Sequence, residues 1–167
     1  MIKSIAAVFV GILLALAIGM LVVFGILWPV FEAFVDPQVA QQSGLFTVLL
    51  VFASAFAYYF GGMAAAYKAP SRRRLHGVLV GVLSFAISPI INLLAVGASD
   101  VSARATDPFV NLRTPEALLF TGVLFVVVLV ACYIGARRGE TLYIHNEAVA
   151  RRHKRRKARE SLSKEDS

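Results

Sequence analysis

Gly61-Gly62-Met63-Ala64-Ala65-Ala66-Tyr67-Lys68-Ala69-Pro70-Ser71-Arg72-Arg73-Arg74-Leu75-His76-Gly77-Val78-Leu79-Val80-Gly81 is the stretch that decides the fold. It joins the end of one apolar run, Leu45–Tyr67, to the start of another, Leu75–Gly97, across the basic turn Lys68–Arg74. Neither run holds an Asp, Glu, Lys or Arg. A helix of about 20 apolar residues crosses a hydrocarbon core roughly 30 Å thick, so each run is long enough to span a bilayer. Lipid offers the backbone no hydrogen-bond partners, which makes each run helical.

Working outward, two more charge-free runs appear, Ile5–Trp28 and Ala117–Ala136. The composition agrees: 58% of residues are hydrophobic and 16% charged. Soluble domains are nearer 45–50% and about 25%. The fold class expected is therefore all-α, a polytopic membrane protein with four transmembrane helices at about 5–28, 45–67, 75–97 and 117–136 within a domain 1–139. A basic tail, 140–167, follows. A buried soluble bundle would need polar faces at helical period, and these runs are apolar all round. The first run could be read as a signal peptide cleaved near Ala15-Leu16-Ala17, but hydrophobicity continues to Trp28, which favours a retained helix.

Charge sets the orientation. Lys3, the turn Lys68–Arg74 and the tail from Arg137 hold fifteen of the seventeen Lys and Arg residues. The other two loops hold only Arg104 and Arg113 beside Glu32, Asp36, Asp100, Asp107 and Glu116. Basic loops alternate with acidic ones, so the positive-inside rule puts both termini in the cytoplasm of a bacterial plasma membrane protein. Trp28 is placed as an interfacial anchor, and Pro29 is expected to kink or end the first span. Asp36-Pro37 and Thr114-Pro115-Glu116 read as helix starts. The tail is expected to leave the membrane as a helix that frays.

Small residues recur at fourfold spacing in every run, as close helix packing in lipid requires. The first has Ala7, Gly11, Ala15 and Gly19; the second Ala53, Ala57, Gly61 and Ala65; the third Gly77, Gly81, Ser84, Ser88 and Asn92; the fourth Ala131 and Gly135, with Gly139 beyond. Depths counted from the basic turn pair Ala65 with Gly77, Gly61 with Gly81 and Tyr58 with Ser84. A close hairpin between the second and third helices is the expectation, with Ala57, Gly61, Ala65, Gly77 and Gly81 as packing residues.

With these residues the chain resembles a loose group of uncharacterised bacterial four-span membrane proteins. The shared features are Gly61-Gly62-Met63-Ala64-Ala65, a basic turn, and His76-Gly77-Val78-Leu79-Val80-Gly81. The resemblance covers about twenty residues and the span layout. It implies a fold and no activity.

Catalytic and metal signatures do not emerge from the sequence. There is no His-Glu-x-x-His, Gly-x-Ser-x-Gly or phosphate loop, and no Cys or His cluster at ligand spacing, so neither enzyme activity nor a cofactor is expected. No Asp, Glu, Lys or Arg lies mid-membrane, which disfavours proton- or ion-coupled transport. Tyr58, Ser84, Ser88 and Asn92 read either as a polar pathway or as interhelical hydrogen bonds. His76 reads as a headgroup-facing or helix-capping residue. Arg72, Arg73, Arg74, Arg151, Arg152, Lys154, Arg155, Arg156, Lys157 and Arg159 are expected to contact anionic lipid headgroups. Nucleic acid is disfavoured because no aromatic residues interleave the basic run to stack on single strands. The reading is a non-catalytic structural, assembly or accessory component packing with itself or a membrane partner. The alternative is a small channel or transporter for a neutral or apolar solute.

Overall fold

The computed structural model of the chain describes residues 2–34, 44–98 and 115–165, all helical except the turn at 69–72. The elements are α1 (Ile2–Val22), a π-helical turn (Val23–Leu27), α2 (Trp28–Phe34), α3 (Gly44–Lys68), α4 (Arg73–Ala98) and α5 (Pro115–Glu165). The outer-loop readings at Asp36-Pro37, Asp100, Arg104, Asp107, Arg113 and Thr114 lie outside the described residues, as do the side chains of Ser88, Asn92, Glu116 and Arg159.

Three described helices carry stretches long and apolar enough to cross a bilayer: Lys3–Val30, Thr47–Lys68 and Leu118–Lys157. α4 has a comparable length of 26 residues, but its described side chains end at Ile87.

Pro29 does not end the first helix. A proline ring clashes with the carbonyl four residues back and supplies no amide hydrogen. Immediately before it the helix widens, and the Trp28 amide donates to the Val23 carbonyl five residues back. The π turn makes room for the ring, so the helix continues to Phe34. α4 likewise runs through Pro89 without interruption.

α3 touches α1, α4 and α5, and α4 touches α1 and α5, whereas α1 and α5 do not meet among the described residues. In cross-section this is a rhombus with α3 and α4 on the short diagonal. Its interior is small and its exterior large. Ala7, Ala15, Ala57, Ala65, Ala66 and Ala136 are all buried, while Phe9, Phe52 and Leu119 are 58%, 67% and 71% exposed. Water would drive the bulky side chains inward, but hydrocarbon has no such preference, and small residues then let the backbones close up.

Each pair of helices has its own register. Along α1 and α3, a Cβ on Gly11 would lie 2.7 Å from the Gly61 carbonyl oxygen, and one on Gly61 2.8 Å from Ala15 Cβ. Gly19 faces Ala57, so these two stripes run antiparallel with residue numbers summing to 76 (15 + 61; 19 + 57). α5 runs parallel to α3: Gly135 lies on the Tyr59 backbone and Gly139 on that of Met63, while Gly62 faces the Cys132 backbone. α4 is antiparallel to α5, with Gly77 against Ala136 and Gly81 against Cys132, Val128 and Leu129.

This corrects the expected hairpin. Gly61 packs on α1 rather than on Gly81, and Gly81 packs on α5. Equal depth fixes height along a helix but not direction around it. Gly61 and Gly62 are neighbours in sequence, and at 3.6 residues per turn they point about 100° apart. One therefore serves α1 and the other α5, so the second helix has two small faces. Ala57, Gly61, Ala65, Gly77 and Gly81 are all buried. Only Gly77 also approaches α3, where a Cβ would sit 2.8 Å from the Gly62 carbonyl oxygen.

Candidate functional site

The directions of the helices bring the start of α1, the α3–α4 turn and the middle of α5 to one end of the bundle. This basic end contains most of the polar contacts among the described residues.

Its centre is Arg73. The last carbonyls of a helix lack intrahelical donors, and Arg73 Nη1 donates to those of Tyr67 (2.9 Å) and Ala66 (3.3 Å) at the end of α3. The guanidinium also lies over the Tyr143 ring of α5, with Cζ 3.2 Å from the ring centroid. Tyr143 meets Tyr67 edge to face, with centroids 6.0 Å apart, and Asn146 Nδ2 donates to the Tyr67 hydroxyl at 3.1 Å. Arg74 Nε donates to Glu140 Oε2 at 2.5 Å. That hydrogen bond and charge raise the Arg74 pKa above its ordinary value, so it stays cationic throughout the working pH range. Three helices are thus tied together where α5 leaves the bundle.

The turn itself is held from within. Arg72 has φ 44°, a left-handed conformation that costs a non-glycine residue roughly 1–2 kcal/mol. It aims the Arg72 carbonyl at the first turn of α4, where the amides of Leu75 (3.0 Å) and His76 (3.3 Å) donate to it. His76 Nδ1 lies 3.1 Å from the same oxygen; facing a carbonyl, this nitrogen carries the hydrogen. His76 is 8% exposed, so it is a buried cap on the turn.

These contacts redistribute the residues expected to meet lipid. Arg73 is half-buried, with Nη1 committed to the end of α3 and the guanidinium face to Tyr143. Arg74 is committed to Glu140. Arg72, Arg151, Arg152, Lys154, Arg155, Arg156 and Lys157 are exposed, with Arg151 paired to Glu147 at 2.6 Å.

α5 joins the last apolar run and the tail in one continuous helix. It is 51 residues long, or about 77 Å at 1.5 Å per residue, more than twice a hydrocarbon core. The change of composition at Gly139 does not interrupt it, because Gly139 is used for close approach to Met63 within the helix. Tyr143, Asn146 and Glu140 are not among the expected site residues. The available signal was the continuation of the Gly135, Gly139 spacing by four more residues to Tyr143.

In the half nearer the basic end, the bundle interior is filled by Val8, Ala65, Val80, Val128 and Cys132, with Tyr58 packed against them. Cys132 Sγ donates to the Tyr58 carbonyl at 3.5 Å. Ser84 Oγ is buried and makes no hydrogen bond among the described residues. The hydroxyl contact expected between Tyr58 and Ser84 is therefore not made.

Three open grooves with apolar walls run along the exterior. One of about 320 Å³ lies between α1 and α4 and ends at Ser4 and His76. One of about 610 Å³ separates the π turn from α3, and one of about 830 Å³ follows Leu118–Val127 on α5. Among the described residues no Asp, Glu, Lys or Arg lines them, so their walls suit acyl chains. Among the described residues no three His, Cys, Asp or Glu side chains gather as a metal would need. Comparison of the chain with protein-family models, with curated proteins and with solved structures finds no match.

Proposed function

We propose that the chain is a non-catalytic accessory or assembly protein that crosses the bacterial plasma membrane four times and holds a rigid basic helix on the cytoplasmic side. The observation that carries this reading is α5. It is seated in α3 by Gly135 and Gly139, clamped at its exit by Arg73, Tyr143 and Asn146, and continuous to Glu165. Such anchoring suits a helix that presents a fixed direction to a partner beyond the membrane. Alternating helix directions support four crossings, with α4 as the fourth. The gathering of Lys3, Lys68 and Arg72–Arg74 at one end supports a cytoplasmic location for that end. Cross-linking in native membranes and in a mild detergent tests the role: recovery of a homo-oligomer or a defined membrane partner is expected. A strictly monomeric, partner-free protein would overturn it.

The second reading, a channel or transporter for a neutral or apolar solute, has one observation in its favour, the unpartnered Ser84 hydroxyl. Against it, Val80, Val128 and Cys132 fill the interior in the half nearer the basic end. Liposome flux, compared with Ser84→Ala, Ser88→Ala and Asn92→Leu, separates the two readings. Flux that falls in these variants would favour the channel.

A further inference from the structure

We infer that the Arg151–Lys157 segment of α5 docks the phosphate backbone of a double-stranded nucleic acid rather than the lipid surface beside it. The inference rests on the proposed cytoplasmic location of the basic end.

Height is the first argument. Among the described residues, the hydrogen bond furthest along α5 that reaches another helix joins Asn146 to Tyr67, level with the end of α3 and its Lys68. Arg151 and Lys157 stand five and eleven residues further along, about 8 and 16 Å at 1.5 Å per residue. The potential of an anionic bilayer decays within a screening length of about 8 Å at physiological salt, so the segment rises through one to two such lengths. From Glu140 to Ser167 there is no Gly or Pro to bend the helix down. The Glu147–Arg151 pair, one turn apart, stiffens the approach.

Shape is the second. A helix that lies on a bilayer needs an apolar face to bury. Residues 151–157 are Arg, Arg, His, Lys, Arg, Arg and Lys, all exposed, so they place charge around the whole circumference. The third argument is charge spacing. Six cations over seven residues, about 10 Å of helix, with Arg151 facing Glu147 one turn back, set a dense run of positive charge against the one negative charge per roughly 1.7 Å of duplex DNA. A helix about 10–12 Å across also fits a major groove about 12 Å wide. The lack of aromatic residues weighs against single strands, which are held by stacking, but not against a duplex, whose phosphates are outermost.

The test uses the full-length protein in lipid nanodiscs and a short fluorescent duplex of arbitrary sequence, read by anisotropy. If Arg152, Lys154, Arg155 and Lys157 each neutralise a phosphate, affinity in zwitterionic discs falls roughly a hundredfold between about 50 and 200 mM salt. Arg152→Gln/Lys154→Gln/Arg155→Gln/Lys157→Gln removes all four and reduces that fall to a few-fold. Discs containing anionic lipid separate the two surfaces. The wild type keeps its affinity within about tenfold, because its rod stands clear of the headgroups. Val149→Pro, which hinges the rod, loses the duplex on anionic discs only. Loss of duplex binding by the wild type on anionic discs would make lipid the occupant and overturn the inference. So would a fourfold-substituted variant that titrates like the wild type. Orientation is read separately, by thiol labelling of Lys164→Cys in intact cells. Labelling from outside would overturn the cytoplasmic assignment while leaving binding in discs unaffected.

Discussion

Gly62→Ala is the sharpest probe of how this bundle is held together. A Cβ at that position would lie 2.5 Å from the Cys132 carbonyl oxygen, 2.9 Å from its Cα and 3.1 Å from its carbonyl carbon. All three are backbone atoms and cannot rotate away. Restoring ordinary contact, about 3.3–3.6 Å, moves α5 off α3 by roughly 0.8 Å at this level. A gap of 0.5–1 Å forfeits about a quarter to a half of each dispersion contact it crosses, and each contact contributes about 0.1–0.2 kcal/mol. With several tens of atom pairs across the interface, the loss is on the order of 2 kcal/mol, inside the about 1–3 kcal/mol usual for overpacking. The assay is reversible unfolding by sodium dodecyl sulfate in mixed micelles, followed by circular dichroism. Gly122→Ala is the control, since a Cβ there meets nothing within 4 Å. Gly135→Ala added to Gly62→Ala should cost less than the sum of the two singles, because one displacement of α5 relieves both clashes. If Gly62→Ala and Gly122→Ala unfold alike, the parallel α3–α5 contact is not what holds α5, and the packing argument fails.

Other outcomes follow from the same contacts. Arg72→Gly relieves the left-handed backbone and should stabilise the protein by roughly 1 kcal/mol in the same titration, whereas a β-branched residue there should destabilise it. Tyr143→Ala removes the ring beneath Arg73 and the edge contact to Tyr67; a loss of about 1 kcal/mol is expected, with faster hydrogen exchange at 140–146 but not near Val128. Ser84→Ala removes a buried hydroxyl that has no partner, so stability should be unchanged or slightly raised, and a clear loss would reveal a hydrogen bond to Ser84. Gly11→Val sets a branched side chain where even a Cβ meets Val80, the Gly61 carbonyl and Ala65; α1 should detach from α3, read as new cysteine accessibility at Ala15→Cys.

The sequence alone determined that the chain is helical and built for hydrocarbon, where the helices lie, and which residues are small enough to be buried. These properties depend on length, period and composition, which are local. Gly11, Gly61, Gly77 and Gly81 could be identified as packing residues because lipid makes close backbone approach the main route to helix association. Their partners could not be identified. Direction around a helix axis is a relation between helices, so whether Gly61 meets Gly81 or Gly11 depends on how all the faces are shared out at once. Only the tertiary structure decided that α3 and α5 run side by side in parallel. It also showed that Arg73 is engaged by α3 and Tyr143, and that Gly139 seats a helix which the change of composition had made look like the start of a tail.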